Sequence, residues 1–504
     1  MTLLRARRGP ALAVAVTAAL SLATPPALAA PDDPRGPGHP SARAACTGPA
    51  PAAPPDFNGD RRRDLVVAAP SGTADHRERA GHLAVLYGSA SDPAHTHHAL
   101  IHQDTRGIPG VAEPGDSYGG ALGTGDLDRD GFSDLVVGSP GEDIGTARED
   151  AGSLAVIWGG RQGLAASATV MDGQHLYGRL GDRLAVGDFD GDGHTDVAAS
   201  DRRTDIRVLF GPFGRDGSAD RTSLLDGDVW FVLDLAAGDV NGDGRTDLAA
   251  VRHHSDAYDS RHTVIWRGTA RGPAAEGETV TDASGRVVQG GENLDLGDID
   301  RDGCADIVAG RLDGHDSDLG IPEAAGGMIT YIPGSKDGPQ GARAVRLNQD
   351  TPGIPGVPEP GDAFGAGLSV GDLDGDGYAD VSAGLPGKRV AGVNGGGAVI
   401  TLRGGPRGLT GTGAALLTQN TSGVPGVAET QDRFGSATHA VDMSGDGRAE
   451  LVASAVGENG RAGGVWAFRG TASGPTVTGS VTFGNGTLGA AATPGSELGK
   501  VFDD

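Results

Sequence analysis

The stretch DFDGDGHTD at residues 188–196 decides the fold, because it recurs. Six further segments follow the same plan: DFNGDRRRD (56–64), DLDRDGFSD (126–134), DVNGDGRTD (239–247), DIDRDGCAD (298–306), DLDGDGYAD (372–380) and DMSGDGRAE (442–450). Successive copies start 51–74 residues apart, which leaves room for four short strands per unit. Each copy leads into a short apolar run, such as Leu65 to Ala69, Leu135 to Gly138 or Leu451 to Ala453, too short for an ordinary helix and read as a buried inner strand. A second strand follows in most units, as in Leu83 to Tyr87 and Leu154 to Trp158. Small repeated sheets must bury both faces on their neighbours, and radial packing does so while leaving only short edges. The expectation is an all-β, seven-bladed β-propeller over residues 56–504.

The nine-residue plan places oxygen-bearing side chains at positions 1, 3, 5 and 9, with glycine at 6 for a sharp turn and the carbonyl of position 7 as a further ligand. Hard oxygen donors rich in carboxylate suit calcium. The expected ligands are Asp56, Asn58, Asp60 and Asp64 in loop one and Asp126, Asp128, Asp130 and Asp134 in loop two. Loop three supplies Asp188, Asp190, Asp192 and Asp196, and loop four Asp239, Asn241, Asp243 and Asp247. Asp298, Asp300, Asp302 and Asp306 follow in loop five, Asp372, Asp374, Asp376 and Asp380 in loop six, and Asp442, Ser444, Asp446 and Glu450 in loop seven. Two carboxylates 4 Å apart repel by about 4 kcal/mol at an effective dielectric of 20, so such loops call for a cation. They hold 25 carboxylates, close in size to the net charge of −26, which assigns most of the acidity to metal rather than to a cationic partner. Loop one carries Arg61 where the others have glycine, at about 1–2 kcal/mol if that residue is left-handed. Ser444 and Glu450 predict weaker binding in loop seven. Dockerin-like calcium repeats are excluded by the wide spacing and the intervening strands.

The pattern resembles the FG-GAP repeat family, whose best-known members are the propeller heads of integrin alpha subunits. The FG element stands at Tyr118-Gly119, Phe364-Gly365 and Phe434-Gly435, and the GAP element at Ala68-Ala69-Pro70, Gly138-Ser139-Pro140 and Gly384-Leu385-Pro386. Units three to five depart from it, with Leu180-Gly181 or no FG element and shortened GAP segments. The resemblance implies a ligand face opposite the calcium loops, and the arginine bias and the leader make a bacterial, secreted member the expectation. Unit one begins at its loop and lacks a preceding strand, while Leu498-Gly499-Lys500-Val501-Phe502 resembles a stray FG strand. The C-terminal residues are therefore expected to complete blade one.

Residues 1–29 read as a signal peptide: Arg5, Arg7 and Arg8 precede an apolar run from Ala11 to Ala23, and Ala27-Leu28-Ala29 suits cleavage after Ala29. Residues 30–55 read as a flexible leader rich in Pro and Ala. No later segment is apolar enough to span a bilayer, so a secreted, extracellular protein is expected. Export permits a disulfide between Cys46 and Cys304. With 88 Gly and 38 Arg against three Lys, the composition fits many tight turns and a GC-rich bacterial source.

Nothing points to nucleic-acid binding. Gly367-Leu368-Ser369-Val370-Gly371 fits GxSxG, yet repeat alignment puts Ser369 inside a strand rather than on a strand-to-helix elbow. Histidines gather at 95, 97, 98 and 102 and at 253, 254 and 262, and read as surface residues or a zinc site. Three interblade segments are near copies, QDTRGIPGVAEPGD (103–116), QDTPGIPGVPEPGD (349–362) and QNTSGVPGVAETQD (419–432), which favours a structural role. Segments 141–150, 253–261 and 313–323 vary and suit specificity better. The expected function is an adhesion or protein-binding scaffold whose partner is an extracellular protein or glycan. A carbohydrate-binding propeller comes second, and a hydrolase of esterase or phospholipase type third.

Overall fold

A computed structural model describes residues 55–90, 97–225, 227, 229–312 and 325–503. Its described residues form seven four-stranded antiparallel sheets, one two-stranded ribbon, a 3-10 turn at Gly341–Arg343 and one helical turn at Glu458–Arg461. The sheets are the seven blades of a β-propeller. In blade two the strands run Ala121–Gly125, Asp134–Ser139, Ser153–Ile157 and Ser167–Asp172, in that order across the sheet. The first strand lines a central cavity of about 530 Å³, whose wall draws residues such as Leu122, Leu184, Leu235, Leu294, Leu368, Thr438 and Val501 from all seven blades. The apolar run after each aspartate-rich loop is thus second from the axis, and the strand leading into the loop is innermost. Second strands are buried along their whole length in most blades, as at Leu65–Ala69, Asp134–Ser139 and Asp380–Leu385, because neighbouring blades cover both faces.

Seven large apolar clusters account for the ring, one at each blade junction. Val66, Leu83 and Val85 of blade one pack with Tyr118, Leu122 and Val137 of blade two. Val441, Val452 and Val465 of blade seven pack with Leu65, Val67 and Phe502 of blade one, which closes the ring. Closure is as expected: Val501–Phe502 pairs antiparallel with Leu65–Ala69, Val67 opposite Phe502 and Ala68 opposite Val501. Asp503 Oδ1 also accepts the Val66 N–H at 2.8 Å. Blade one is therefore built from both ends of the described chain.

The two motif glycines have a steric reason. A Cβ on Gly384 would stand 1.8 Å from the carbonyl oxygen of Gly435, and one on Gly138 would stand 2.1 Å from that of Gly181. The GAP glycine of one blade thus lies against the FG glycine of the next. Leu180-Gly181 takes the FG place in blade three, with Leu180 buried and the Gly181 N–H donating to Ser200 O, as the Gly119 N–H donates to Gly138 O. Blade four is the most divergent, with long strands at Trp230–Gly238, Asp247–His254 and Ala257–Trp266 and a fourth strand of two residues, Glu278–Thr279.

Candidate metal centres and the opposite rim

Six of the aspartate-rich loops join the first strand of a blade to the second, and loop one leads into the second strand of blade one in the same way, so all seven lie at one end of the propeller. The fold holds the loops by three devices, the third of them complete in six of the seven. The residue at position 2 (Phe57, Leu127, Phe189, Val240, Ile299, Leu373 or Met443) is fully buried and anchors the loop in the core. The carboxylate at position 1 then gathers the N–H groups of the turn: Asp188 accepts from Gly191 at 2.7 Å, Asp192 at 3.1 Å and Gly193 at 2.8 Å. Finally, the buried acid at position 9 clamps the loop to the sheet. Asp134 accepts the N–H of Leu127 at 2.9 Å and of Gly159 at 2.8 Å, and the pattern repeats at Asp64, Asp196, Asp247, Asp306 and Asp380. Burial pushes each of these six carboxyls up to about 7, against the lowering effect of the two N–H groups, and neighbouring loop carboxylates push the same way.

Carboxylate oxygens converge within 4.8 Å of one another in four loops: Asp126, Asp128 and Asp134; Asp188, Asp190 and Asp196; Asp298, Asp300 and Asp302; Asp372, Asp374 and Asp380. The set is all oxygen, half-buried and rich in carboxylate, which fits a hard divalent cation. Asp130, Asp192 and Asp376 lie outside these groups; their Oδ1 atoms accept the N–H of position 7 at 2.8–3.0 Å. Loops one, four and seven contribute no group of three among the described residues. Loop seven nonetheless keeps a spare donor, since Glu450 spends Oε2 on the Met443 and Ser444 N–H groups while Oε1 is enclosed without a hydrogen-bond partner. Arg61 is left-handed, with φ 71°, where the other loops place glycine.

Two features escaped the sequence reading. Position 4 is left-handed in every loop, by glycine in five and by Arg129 and Arg301 in two. Arginines also reach into the loops: Arg215 pairs with Asp128 and Asp130, Arg221 with Asp190 at 2.5 Å, and Arg403 with Asp374 at 2.9 Å. Their positions outside the nine-residue motif carry no local signal.

Cys304 is wholly buried and disulfide-bonded, while Cys46, expected as its partner, lies outside the described residues, as do His95, segment 313–323 and residues 1–54. Ser369 sits in the strand Leu368–Gly371, buried and paired opposite Ser382, in the cavity wall. Four of the described histidines lean on aromatic rings: His97 on Tyr87, His253 on Phe231, His254 and His262 on Trp230.

At the opposite end, the three near-copy segments fold alike. Each final aspartate (Asp116, Asp362, Asp432) is buried and accepts the N–H three residues before it, at 2.6, 2.9 and 2.5 Å. Its own carbonyl accepts from a glycine after the second strand, Gly141, Gly387 or Gly457. A Cβ on Gly387 would lie 1.8 Å from Gly361 O, so the two loops meet with no room for a side chain.

Residues 118–157 match the FG-GAP repeat. The chain is 31% identical over 149 residues to the phosphatidylinositol-glycan-specific phospholipase D of Rattus norvegicus, covering 29% of this chain and 17% of that protein. It is 30% identical over 229 residues to integrin alpha-IIb of Homo sapiens, covering 42% and 20%. Integrin alpha-PS2 of Drosophila melanogaster is 31% identical over 233 residues, covering 43% and 16%. The chain spans a fifth or less of the length of these relatives.

Proposed function

We propose that this FG-GAP propeller is a secreted, calcium-stabilised scaffold that binds an extracellular protein. The observation that carries the reading is the convergence of three carboxylates within 4.8 Å in each of four loops at one end of the ring. When bound, Ca2+ would supply the positive charge that offsets their mutual repulsion. The chain's own part is to preform the loops: position 2 anchors them, position 9 clamps them, and position 1 orients the turn. A scaffold held rigid at one end leaves the opposite rim, with its longer and more variable loops, free to present a binding surface. Likeness to integrin alpha chains favours a protein partner, with a glycan second; the phospholipase relatives supply the hydrolase alternative. Among the described residues no helix is long and apolar enough to cross a membrane.

Melting the protein in calcium and after thorough chelation tests the metal, and an unchanged transition would remove it. Binding of the immobilised chain to panels of extracellular proteins and glycans, with and without chelator, tests the scaffold. Robust ester or phosphodiester turnover that disappears in Ser369→Ala would overturn it.

A further inference from the structure

Three copies of one rim motif carry different residues at a single position, and the difference points to a ligand. In blade six Lys388 places its ammonium against Gln349 Oε1 at 3.2 Å, Val357 O at 2.5 Å and Asp362 Oδ2 at 2.7 Å. The Gln349 amide is then used at both ends, since its Nε2 donates to Pro355 O at 3.2 Å. Blades two and seven keep the glutamine, the valine and the aspartate, but replace the lysine by Glu142 and Glu458. The local charge from the pair changes from zero to −2.

The amides record the substitution. Gln103 Nε2 turns to Glu142 Oε2 at 2.5 Å, and Gln419 Nε2 to Glu458 Oε2 at 2.8 Å. Gln103 is 4% exposed and Gln419 1%, and in both the Oε1 atom is enclosed with no hydrogen-bond partner. A buried acceptor left without a donor keeps the full cost of its desolvation. Turning the amide over would give Nε2 the proline carbonyl that Gln349 uses, but would bring Oε1 face to face with the glutamate. A cation between them satisfies both.

We propose that blades two and seven each hold a divalent cation of the calcium class at the rim opposite the aspartate-rich loops. Its donors are Gln103, Asp116 and Glu142 in one and Gln419, Asp432 and Glu458 in the other, in the place that Lys388 fills in blade six. Two carboxylates and neutral amide and carbonyl oxygens form a hard donor set, and a charge of +2 restores the neutrality that Lys388 gives. Val111 and Val427 hold the sequence place of Val357 and offer the further carbonyl.

The test counts calcium ions per chain by native mass spectrometry on the full protein. Glu142→Lys and Glu458→Lys should each release one ion and the double variant two, while Lys388→Glu should gain one. In chelator, Glu142→Lys should also melt higher than the parent, because the blade-six pairing replaces the lost cation. A double variant that folds and binds as many ions as the parent overturns the proposal. So does Lys388→Glu with an unchanged count, which covers the case in which the double variant fails to fold. The readout is a difference between variants, so failure of the seven loops to bind would lower every count alike and leave this result distinguishable.

Discussion

Cutting the chain after residue 495 should weaken the whole ring rather than one blade. The deletion removes the only strand at the inner edge of blade one, together with Leu498, which is fully buried, Phe502, 8% exposed, and the half-buried Val501. Burying side chains of this kind stabilises by about 1.5–3 kcal/mol each, so the three account for about 6 kcal/mol. The hydrogen bond from Val66 N–H to Asp503 is lost as well, and a buried backbone donor is exposed at a new sheet edge. For a ring unfolding as one unit, an entropy of about 2.1 cal/mol/K per residue over roughly 450 residues converts 6 kcal/mol into a fall of about 6 °C. Leu498→Ala alone, at about 2–5 kcal/mol, should lower the transition by about 2–5 °C. The assay is calorimetry in saturating calcium on the parent, the truncation and Leu498→Ala, with a second truncation inside residues 30–45 as control. A C-terminal truncation that melts within 1 °C of the parent would refute the latch.

Four further outcomes follow from named contacts. Arg61→Gly relieves a left-handed side chain in loop one; after the entropy that glycine adds to the unfolded chain it should stabilise by about 0.5–1 kcal/mol, read by denaturant midpoint. Gly384→Ala forces a Cβ onto Gly435 O and should destabilise by about 1–3 kcal/mol, whereas Gly460→Ala, a left-handed glycine facing open space, should cost less. Phe189→Ala removes the loop-three anchor and should cost about 3–5 kcal/mol, with calcium affinity weakened only there. His439, beside Phe502 in the cavity wall, is pushed down to about 4 by desolvation, with Arg63 adding to the effect. Its folded pKa lies below its unfolded value, so the unfolded chain takes up the proton first and stability falls as pH drops from about 6.5 toward 4. Allowing for solvent in the cavity the loss is about 1–2 kcal/mol, and His439→Gln should flatten that part of the pH–melting curve.

Much of the ring was legible because its determinants are local. DxDxDG followed by a β-branched run identifies the loop and the second strand together, and the unpartnered first loop identifies the latch. The roles inside the loop were less legible. Asp64 and its equivalents read as ligands by spacing, yet their two oxygens first hold the backbone of position 2 and of a glycine beyond the third strand, a contact made only when the sheet assembles. Leu180 keeps the FG function without an aromatic ring because burial and a backbone bridge, not the ring, are what the place demands. The Gln-loop copies read as structural repetition, and so they are at Asp116, Asp362 and Asp432. What repetition concealed was the one exchanged position, Glu142, Lys388 and Glu458, which lies in a different loop and meets the motif only in space.

Because blade one takes its innermost strand from residues 501 and 502, the repeat written in the sequence is out of step with the blade by one strand. A growing chain can complete blades two to seven as it emerges, but its ring stays open until these residues arrive. Until then Leu65–Ala69 presents a bare edge. Resistance to proteases should therefore rise late and abruptly during synthesis, and a cut that removes residues 501 and 502 should lower the stability of all seven blades together rather than of blade one alone.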